Sequence, residues 1–501
     1  MAHALVRAAS ALMPTQGFDE SRTRRSHECE RGTRECVRHG ISKCVRHVRH
    51  GGRHMIVMKF GGTSVESAEA IDRVIGIVKS RLDRRPVVVV SAMGKTTNRL
   101  LKIANLAVAG QRDEALRELV ALRDYHLTES GMERTVDEHF QEIAELVKGL
   151  AVLGELTPRS IDAISSFGER MSSLIVTNLF KHRGLSAVHV DSRKVIVTDR
   201  RHTQAIPLFE ETYAKLAATI PPLAKSHVVV MGGFIGSTTE GVTTTLGRGG
   251  SDFTASIVGA GIGAEEIQIW TDVDGMLTAD PTIVPDAHRV KVISFTEAAE
   301  MAYFGAKVLH PATVVPAIDR NIPVLILNSR RPQVDGTRIV SEAVASKNIV
   351  KSIACKSKVV VMSIRSTRMF MAHGFMRRIF EIFDRFETSV DMVATSEVSV
   401  SLTIDQPERV EAITGALREF AEVSVDENQA IICMVGENIR HSPGVAARVF
   451  KALGSINVRM VSQGASALNL GFVVAGKDLA AAVPALHREF FSELDPVVFD
   501  A

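Results

Sequence analysis

The sequence predicts an α/β protein of more than one domain, and three observations carry that prediction. Short apolar runs such as Met55–Phe60, Arg85–Val90 and Val228–Met231 each end in a glycine- or hydroxyl-rich turn. The turn Leu246–Asp252 crowds three glycines, one cation and one acid before a small-residue segment, Phe253–Ala260, that reads as a helix start. From about residue 346 onward the order strand, helix, strand, strand occurs twice, which suggests paired small α/β modules. At 501 residues and 45% hydrophobic content the chain can bury several cores, with three domains the expectation.

Composition removes several function classes. Charged residues or repeated glycines break every apolar run before membrane-spanning length, so no membrane partner is expected. The formal charge is +3, but residues 1–54 hold eleven Lys or Arg against five Asp or Glu. The remaining chain is slightly acidic, which gives no nucleic-acid face on the folded body. Five cysteines, three of them in the first 44 residues, make no disulfide framework and fit an intracellular, cytoplasmic compartment.

Residues 1–54 are rich in Arg and His and lack a sustained periodicity. Cys29, Cys36 and Cys44 lie near His27, His39, His47 and His50, but without the tight Cys-x2–4-Cys spacing of a zinc knuckle. A disordered extension without metal is the expectation. Its acids, Asp19, Glu20, Glu28, Glu30 and Glu35, count against a transit peptide. The functional start is expected at Met55, directly before the first convincing strand.

That strand, Met55–Phe60, runs into Gly61-Gly62-Thr63-Ser64, and Ser67–Lys79 continues as a helix. Backbone amides at such a turn and the positive helix end attract phosphate, with Lys59 beside them. The Walker order is absent. Ser91, Thr97 and Asn98 after the next strand can hold a substrate or cap a helix. Residues 100–153 read as solvated helices, and His126 within them as structural. Glu169 in Phe167-Gly168-Glu169-Arg170 can bind an ammonium group or pair with Arg170. Gly232-Gly233-Phe234 can bring a ligand against the backbone. The alternating Ile267–Trp270 run delivers Thr271, Asp272 and Asp274 to a strand's C-terminal end, where open α/β sheets place ligands. No EF-hand spacing surrounds these acids, so nucleotide with its magnesium explains them better. Lys307, in Phe304–Pro311, reads as a second candidate for a phosphate-facing lysine, and His310 as a turn residue.

Lys59–Ser64, Ser166–Glu169, Gly247–Asp252, Trp270–Asp272 and Phe304–Pro311, in this order, resemble the aspartate kinases of the amino acid kinase family. The resemblance runs from about Met55 to the end of the chain. It implies a three-layer α/β/α sandwich around a largely parallel eight-stranded sheet, with ATP and L-aspartate in adjoining crevices. The implied reaction is attack of the aspartate β-carboxylate on the γ-phosphate, giving 4-phospho-L-aspartate and ADP. Mg2+ would be bound mainly through the ATP phosphates, with no metal-ligating residues of the chain's own. By the same resemblance Lys59 and Asp252 are catalytic, Arg248 holds the α-carboxylate and Glu169 the ammonium group. Ser91 and Thr97 line the substrate side; the Gly61 and Gly62 amides flank the phosphate; Thr271, Asp272 and Lys307 face the nucleotide. Thr282 departs from the pattern, since relatives often carry an arginine there.

The tail's two repeats resemble ACT domains, ferredoxin-like amino-acid-sensing units, and clustered acids, His or Lys that would suggest catalysis are not seen there. Ser389, Asp391, Ser396 and Glu397 resemble the effector-binding segment of lysine-inhibited single-function enzymes, although they can also be turn caps. L-lysine is the expected inhibitor, with threonine or no effector as the alternatives, and a homodimer through the ACT units is expected with a tetramer left open. The chain is expected to divide into 1–54, a catalytic domain 55–345 and a regulatory region 346–501. With Ala501 last, no fused homoserine dehydrogenase is expected.

Overall fold

The computed structural model describes residues 55–305, 311–366 and 373–500. The readings made for residues 1–54, Lys307 and His310 fall outside the described residues. The strands of the body are β1 (Ile56–Phe60), β2 (Pro86–Val90), β3 (Ala187–Val190), β4 (Val197–Thr198), β5 (Val228–Gly232), β6 (Ile235–Thr238), β7 (Thr243–Thr245), β8 (Glu266–Thr271), β9 (Val292–Ser294), β10 (Val324–Asn328) and β11 (Thr337–Val340).

Eight of them form one sheet in the order β3-β5-β2-β1-β8-β10-β11-β9. Only the β10–β11 pair is antiparallel. β1, β2 and β5 are buried at every position, because helices cover both faces of a parallel sheet and leave no polar side. Alternate residues separate the layers. Val57, Val87, Val89, Ile267 and Ile269 pack on one face with the helices Phe209–Leu223 and Gly250–Ile262. Ile56, Met58, Phe60, Val88 and Val90 pack on the other with Ala68–Lys79, Thr96–Val108, Arg112–Ser130, Glu133–Leu153 and Phe167–His182. The sandwich of three layers expected from the resemblance is therefore present. β4, β6 and β7 make a separate small sheet beside it.

His126 is buried, bonded from Nδ1 to the Leu122 carbonyl at 2.9 Å and close to Thr96 Oγ1 at 3.4 Å. Burial pushes its pKa down to about 4, which fits a packing histidine.

The tail adds β12 (Val350–Arg365), β13 (Val393–Thr395), β14 (Ser399–Ile404), β15 (Glu422–Gly436), β16 (Met460–Gln463) and β17 (Asn469–Ala475) in one sheet ordered β13-β14-β12-β15-β17-β16. The repeat is longer than the sequence suggests. Each half also has a second helix, Val410–Leu417 in one and Leu479–Phe490 in the other, and a fourth strand. The halves are nested rather than consecutive. One uses the C-terminal part of β12 and the N-terminal part of β15. The other takes the C-terminal part of β15 and, as its fourth strand, the N-terminal part of β12. β12 and β15 change register near Lys358 and Asn428, both left-handed at φ 60° and φ 52°; such irregularities bend a strand and increase its twist.

The half made of 359–426 has its own core around Met362, Ile364, Ile379, Phe383 and Leu402. The other half shares a core with the body. It is further tied to it by the fully buried Lys351–Glu297 pair at 2.9 Å, by a contact of 2.8 Å between Thr278 Oγ1 and His487 Nε2, and by Arg289–Asp500.

Candidate active site

β1 lies mid-sheet, with β2 on one side and β8 on the other, so the chain reverses its direction of winding beside it. A crevice opens at the C-terminal ends of the strands at such a point. Strand alternation turns Lys59 toward the face carrying the helix Gly250–Ile262, whose first turn supplies Asp252. Lys59 Nζ and Asp252 Oδ1 stand 2.7 Å apart, with side chains only 11% and 16% exposed. Gly247 and Gly249 take φ of 76° and 71°, a backbone that glycine adopts without penalty. A side chain at Gly233 would meet Ser251 Cβ at 2.6 Å, so that glycine lets the helix start approach β5.

Glu169 comes from the first turn of the helix Phe167–His182. The segment Ser166–Arg170 is a junction between this helix and Pro158–Ser165. Gly168 is required there, since a Cβ would fall 2.7 Å from that of Ala92. The Ala92 amide donates to Glu169 Oε1 at 3.1 Å, while Oε2 is buried with no partner among the described residues. Desolvation pushes its pKa up to about 8, against the backbone donors and Lys59. Arg170, the alternative partner, pairs with Glu142 at 3.1 Å instead. A buried carboxylate oxygen without a donor is costly and suits a ligand cation.

Lys59, Ser91, Thr97, Glu169, Arg248 and Asp252 line one cavity of about 300 Å³ with Phe234 and the Gly247–Gly250 backbone. Arg248 is exposed, and no described carboxylate pairs with it. The cavity thus holds together an exposed guanidinium, an acid with an unpartnered oxygen among the described residues and a shielded lysine, a set complementary to an amino acid's carboxylate and ammonium beside an anionic group.

The nucleotide-facing expectation meets a partly different arrangement. Thr271 ends β8 and Asp272 follows it beside the glycine turn, with Thr271 Oγ1 bonded to Asp272 Oδ1 at 3.2 Å. The Gly61 amide does not face an anion: it donates to the Trp270 carbonyl at 3.1 Å, extending the β1–β8 ladder by one bond. Thr282 closes a local turn, its amide and hydroxyl both on Asp280 Oδ1.

In the tail, Asp391 lies just before β13 and binds Lys356 Nζ at 2.9 Å; Asp405 takes the same ammonium at 2.7 Å. This corrects the reading that no charged cluster occurs there, since β12 supplies the lysine and β14 leads to the second acid. Asp391 Oδ2 is buried with no hydrogen-bond partner among the described residues. Ser389 is half-buried, whereas Ser396 and Glu397 are exposed in the turn joining β13 and β14. Ser396 caps that turn, with the Ser399 amide on its hydroxyl at 3.2 Å.

A model of the amino acid kinase family matches residues 54–328, and one of the ACT domain matches 432–490. Aspartokinase 2, chloroplastic, of Arabidopsis thaliana is 41% identical over 463 residues, covering 88% of this chain and 85% of that protein. The chain belongs to the aspartate kinase family. Among solved structures, E. coli aspartokinase III in complex with aspartate and ADP (R-state) superposes with a TM-score of 0.75 at 34% identity, covering 87% of this chain and all of that one. Its complex with lysine and aspartate (T-state) gives 0.76, again at 34% identity, with 87% and 99% covered. The amino acid kinase match contains every residue of the cavity in this aspartate kinase. The ACT match covers the half of the tail that shares a core with the body.

Sequence reasoning missed Asn328, Ser329 and Lys356, each of which touches an expected site only through the tertiary fold. It also missed Asp162, fully buried and accepting from the Thr203 amide, Thr245 Oγ1 and His202 Nδ1. This acid holds β7, just ahead of Arg248, against the loop that follows β4, and nothing local to Pro158–Ser165 signals that role.

Proposed function

We propose that the 300 Å³ cavity is where L-aspartate meets ATP, and that the chain transfers the γ-phosphate to the aspartate β-carboxylate to give 4-phospho-L-aspartate. The observation that carries this reading is Glu169 Oε2, buried and without a partner among the described residues, in the cavity that Arg248 also lines. The substrate's ammonium group gives that oxygen its donor, and Arg248 takes the α-carboxylate in a forked contact. The β-carboxylate then points toward Lys59. It is already ionised near neutral pH and needs no general base, so the protein's task is alignment and charge compensation. Lys59, released from Asp252 toward the transferring oxygens, supplies the charge, and Asp252 keeps the ammonium oriented. The Gly62 amide, rather than that of Gly61, serves the phosphate. Thr271, Asp272 and Lys307 are assigned to the nucleotide. Among the described residues no group of three or more His, Cys, Asp or Glu forms a metal cradle. Mg2+ is assigned to the phosphate oxygens of ATP, where it would neutralise charge.

Lys59→Ala is expected to lower aspartate-dependent ADP formation by about 10²-fold or more, because the lost charge acts most strongly in the transition state. Turnover within threefold of the parent, on folded protein, would rule out this role.

The tail is read as two ACT units within 346–501, following a catalytic domain that ends near 345, and as the receptor for L-lysine. Asp391 and Glu397 are separated by roughly 20 Å if the chain between them is extended, too far for one lysine to span. β13 is a sheet edge, and pairing it across a two-fold axis in a homodimer brings one copy's Asp391 within reach of the partner's turn. Cysteine usage supports a cytoplasmic setting.

A further inference from the structure

β10 ends on Asn328, and Ser329 follows; both are buried polar residues. The Asn328 side chain is fully engaged. Oδ1 accepts from the Arg330 amide at 2.8 Å and the Arg331 amide at 3.3 Å, while Nδ2 donates to Asp274 Oδ1 at 2.7 Å. Arg331 adds an ion pair to the same acid. The Ser329 amide donates to the Thr271 carbonyl at 2.8 Å, its hydroxyl reaches that carbonyl at 3.0 Å, and the same hydroxyl stands 2.8 Å from Ser64 Oγ. Ser64 in turn closes the glycine turn, its amide on the Gly61 carbonyl at 2.9 Å. Two residues at the end of one strand thereby connect the turn after β1 to the loop after β8.

We propose that Asn328 and Ser329 are positioning residues for phosphoryl transfer, fixing the distance between the glycine turn and the Thr271–Asp274 loop. This rests on the reading that ATP lies between those two loops. A buried amide that uses both its donor and its acceptor has no alternative partner, so its loops move together. Displacement of about 1 Å at a reacting centre can cost on the order of 10²-fold in rate. Neither residue contacts the reacting atoms in this scheme; both act through Thr271, Asp274 and Ser64.

The test is steady-state kinetics on the full-length enzyme, with ATP varied at saturating aspartate and the reverse. Asn328→Asp keeps the acceptor for the two arginine amides but cannot donate to Asp274 and sets two carboxylates together. The KM for ATP is expected to rise at least tenfold, with that for aspartate within twofold of the parent. Adding Asp274→Asn reverses donor and acceptor and is expected to bring the KM for ATP back to within threefold. An unchanged KM for ATP in the single variant, or a double variant no better than the single, overturns the proposal. If Asn328→Asp yields no folded protein, Ser329→Ala decides: at least a threefold rise in KM for ATP supports the proposal, and none overturns it. Asp272→Ala is measured alongside. If it raises the KM for ATP while the Asn328 and Ser329 variants do not, only the positioning role falls; if none of them moves that KM, the nucleotide reading falls with it.

Discussion

At the scale of single residues, the cavity depends on one acid kept away from water. Burial holds Glu169 near pKa 8 instead of its ordinary 4.5, which means the empty site prefers the protonated form. The stabilisation from that proton is complete below about pH 4.5 and lost as pH rises through about 8. A substrate ammonium reverses the preference, so binding below pH 8 must release a proton. The kcat/KM for aspartate is therefore expected to fall about tenfold per pH unit below about pH 8, and Glu169→Gln to remove that limb while lowering kcat/KM throughout. A limb that persists unchanged in the glutamine variant would assign it to another group. Lys59 and Asp252 illustrate a different balance: the pair is shielded, and a lysine so held becomes useful when a stronger anion competes for it.

At the scale of elements, the helix Phe295–Tyr303 joins the body to the tail. Glu297 holds Lys351 of β12 in full burial; Glu300 takes Ser466 at 2.8 Å and Asn469 at 2.7 Å; the Tyr303 hydroxyl reaches the Val390 carbonyl at 3.5 Å. The next residues are those of the Phe304–Pro311 segment. Lys356, whose ammonium lies 5.9 Å from the Tyr303 ring centre, occupies Asp391, the acid assigned to the effector. Lys356→Met leaves Asp391 and Asp405 without that cation and is expected to lower the lysine concentration that inhibits. Asp391→Ala is expected to raise it at least tenfold, with turnover in the absence of lysine within twofold of the parent. Activity against lysine concentration, run beside threonine, measures both. A parent indifferent to saturating lysine, or superimposable curves for all three proteins, would defeat the effector assignment and leave the kinase reading intact. The coupling involved need be only about 1–3 kcal/mol.

At the scale of the whole molecule, the eight strands of the kinase sheet all lie between Ile56 and Val340. β1 is buried along its length between β2 and β8. Deletion to Met55 is expected to leave turnover within twofold of the full chain and to remove no bound metal, since the cysteines and histidines there lack compact ligand spacing. Zinc analysis showing one tightly held ion per full-length chain, lost with the deletion, would contradict this. The unequal attachment of the tail's halves also belongs to this scale. One half packs throughout into the core of the body, while the half carrying Asp391 has a core of its own and joins the shared one through Val359, Val361 and Met392, so it is the more separately packed of the two.

Some of this was legible in the sequence because it is written in neighbouring residues. A lysine one position before a glycine turn, glycines at left-handed positions ahead of a helix, and an apolar run delivering Thr271 and Asp272 are local patterns, set by strand alternation and by the conformations only glycine adopts freely. They determined the layered α/β body and which side chains could share a cavity. The tertiary structure alone decided what each of those groups faces. That Glu169 keeps an empty oxygen, that the Gly61 amide is taken by Trp270, that Asn328 ties two loops and that Lys356 sits on Asp391 all depend on contacts between residues far apart in the chain. The nesting of the tail was hidden for the same reason, since a strand's partner is set by which buried edge remains open when the sheet closes, and β12 carries no local mark that its first half belongs with residues 429–490.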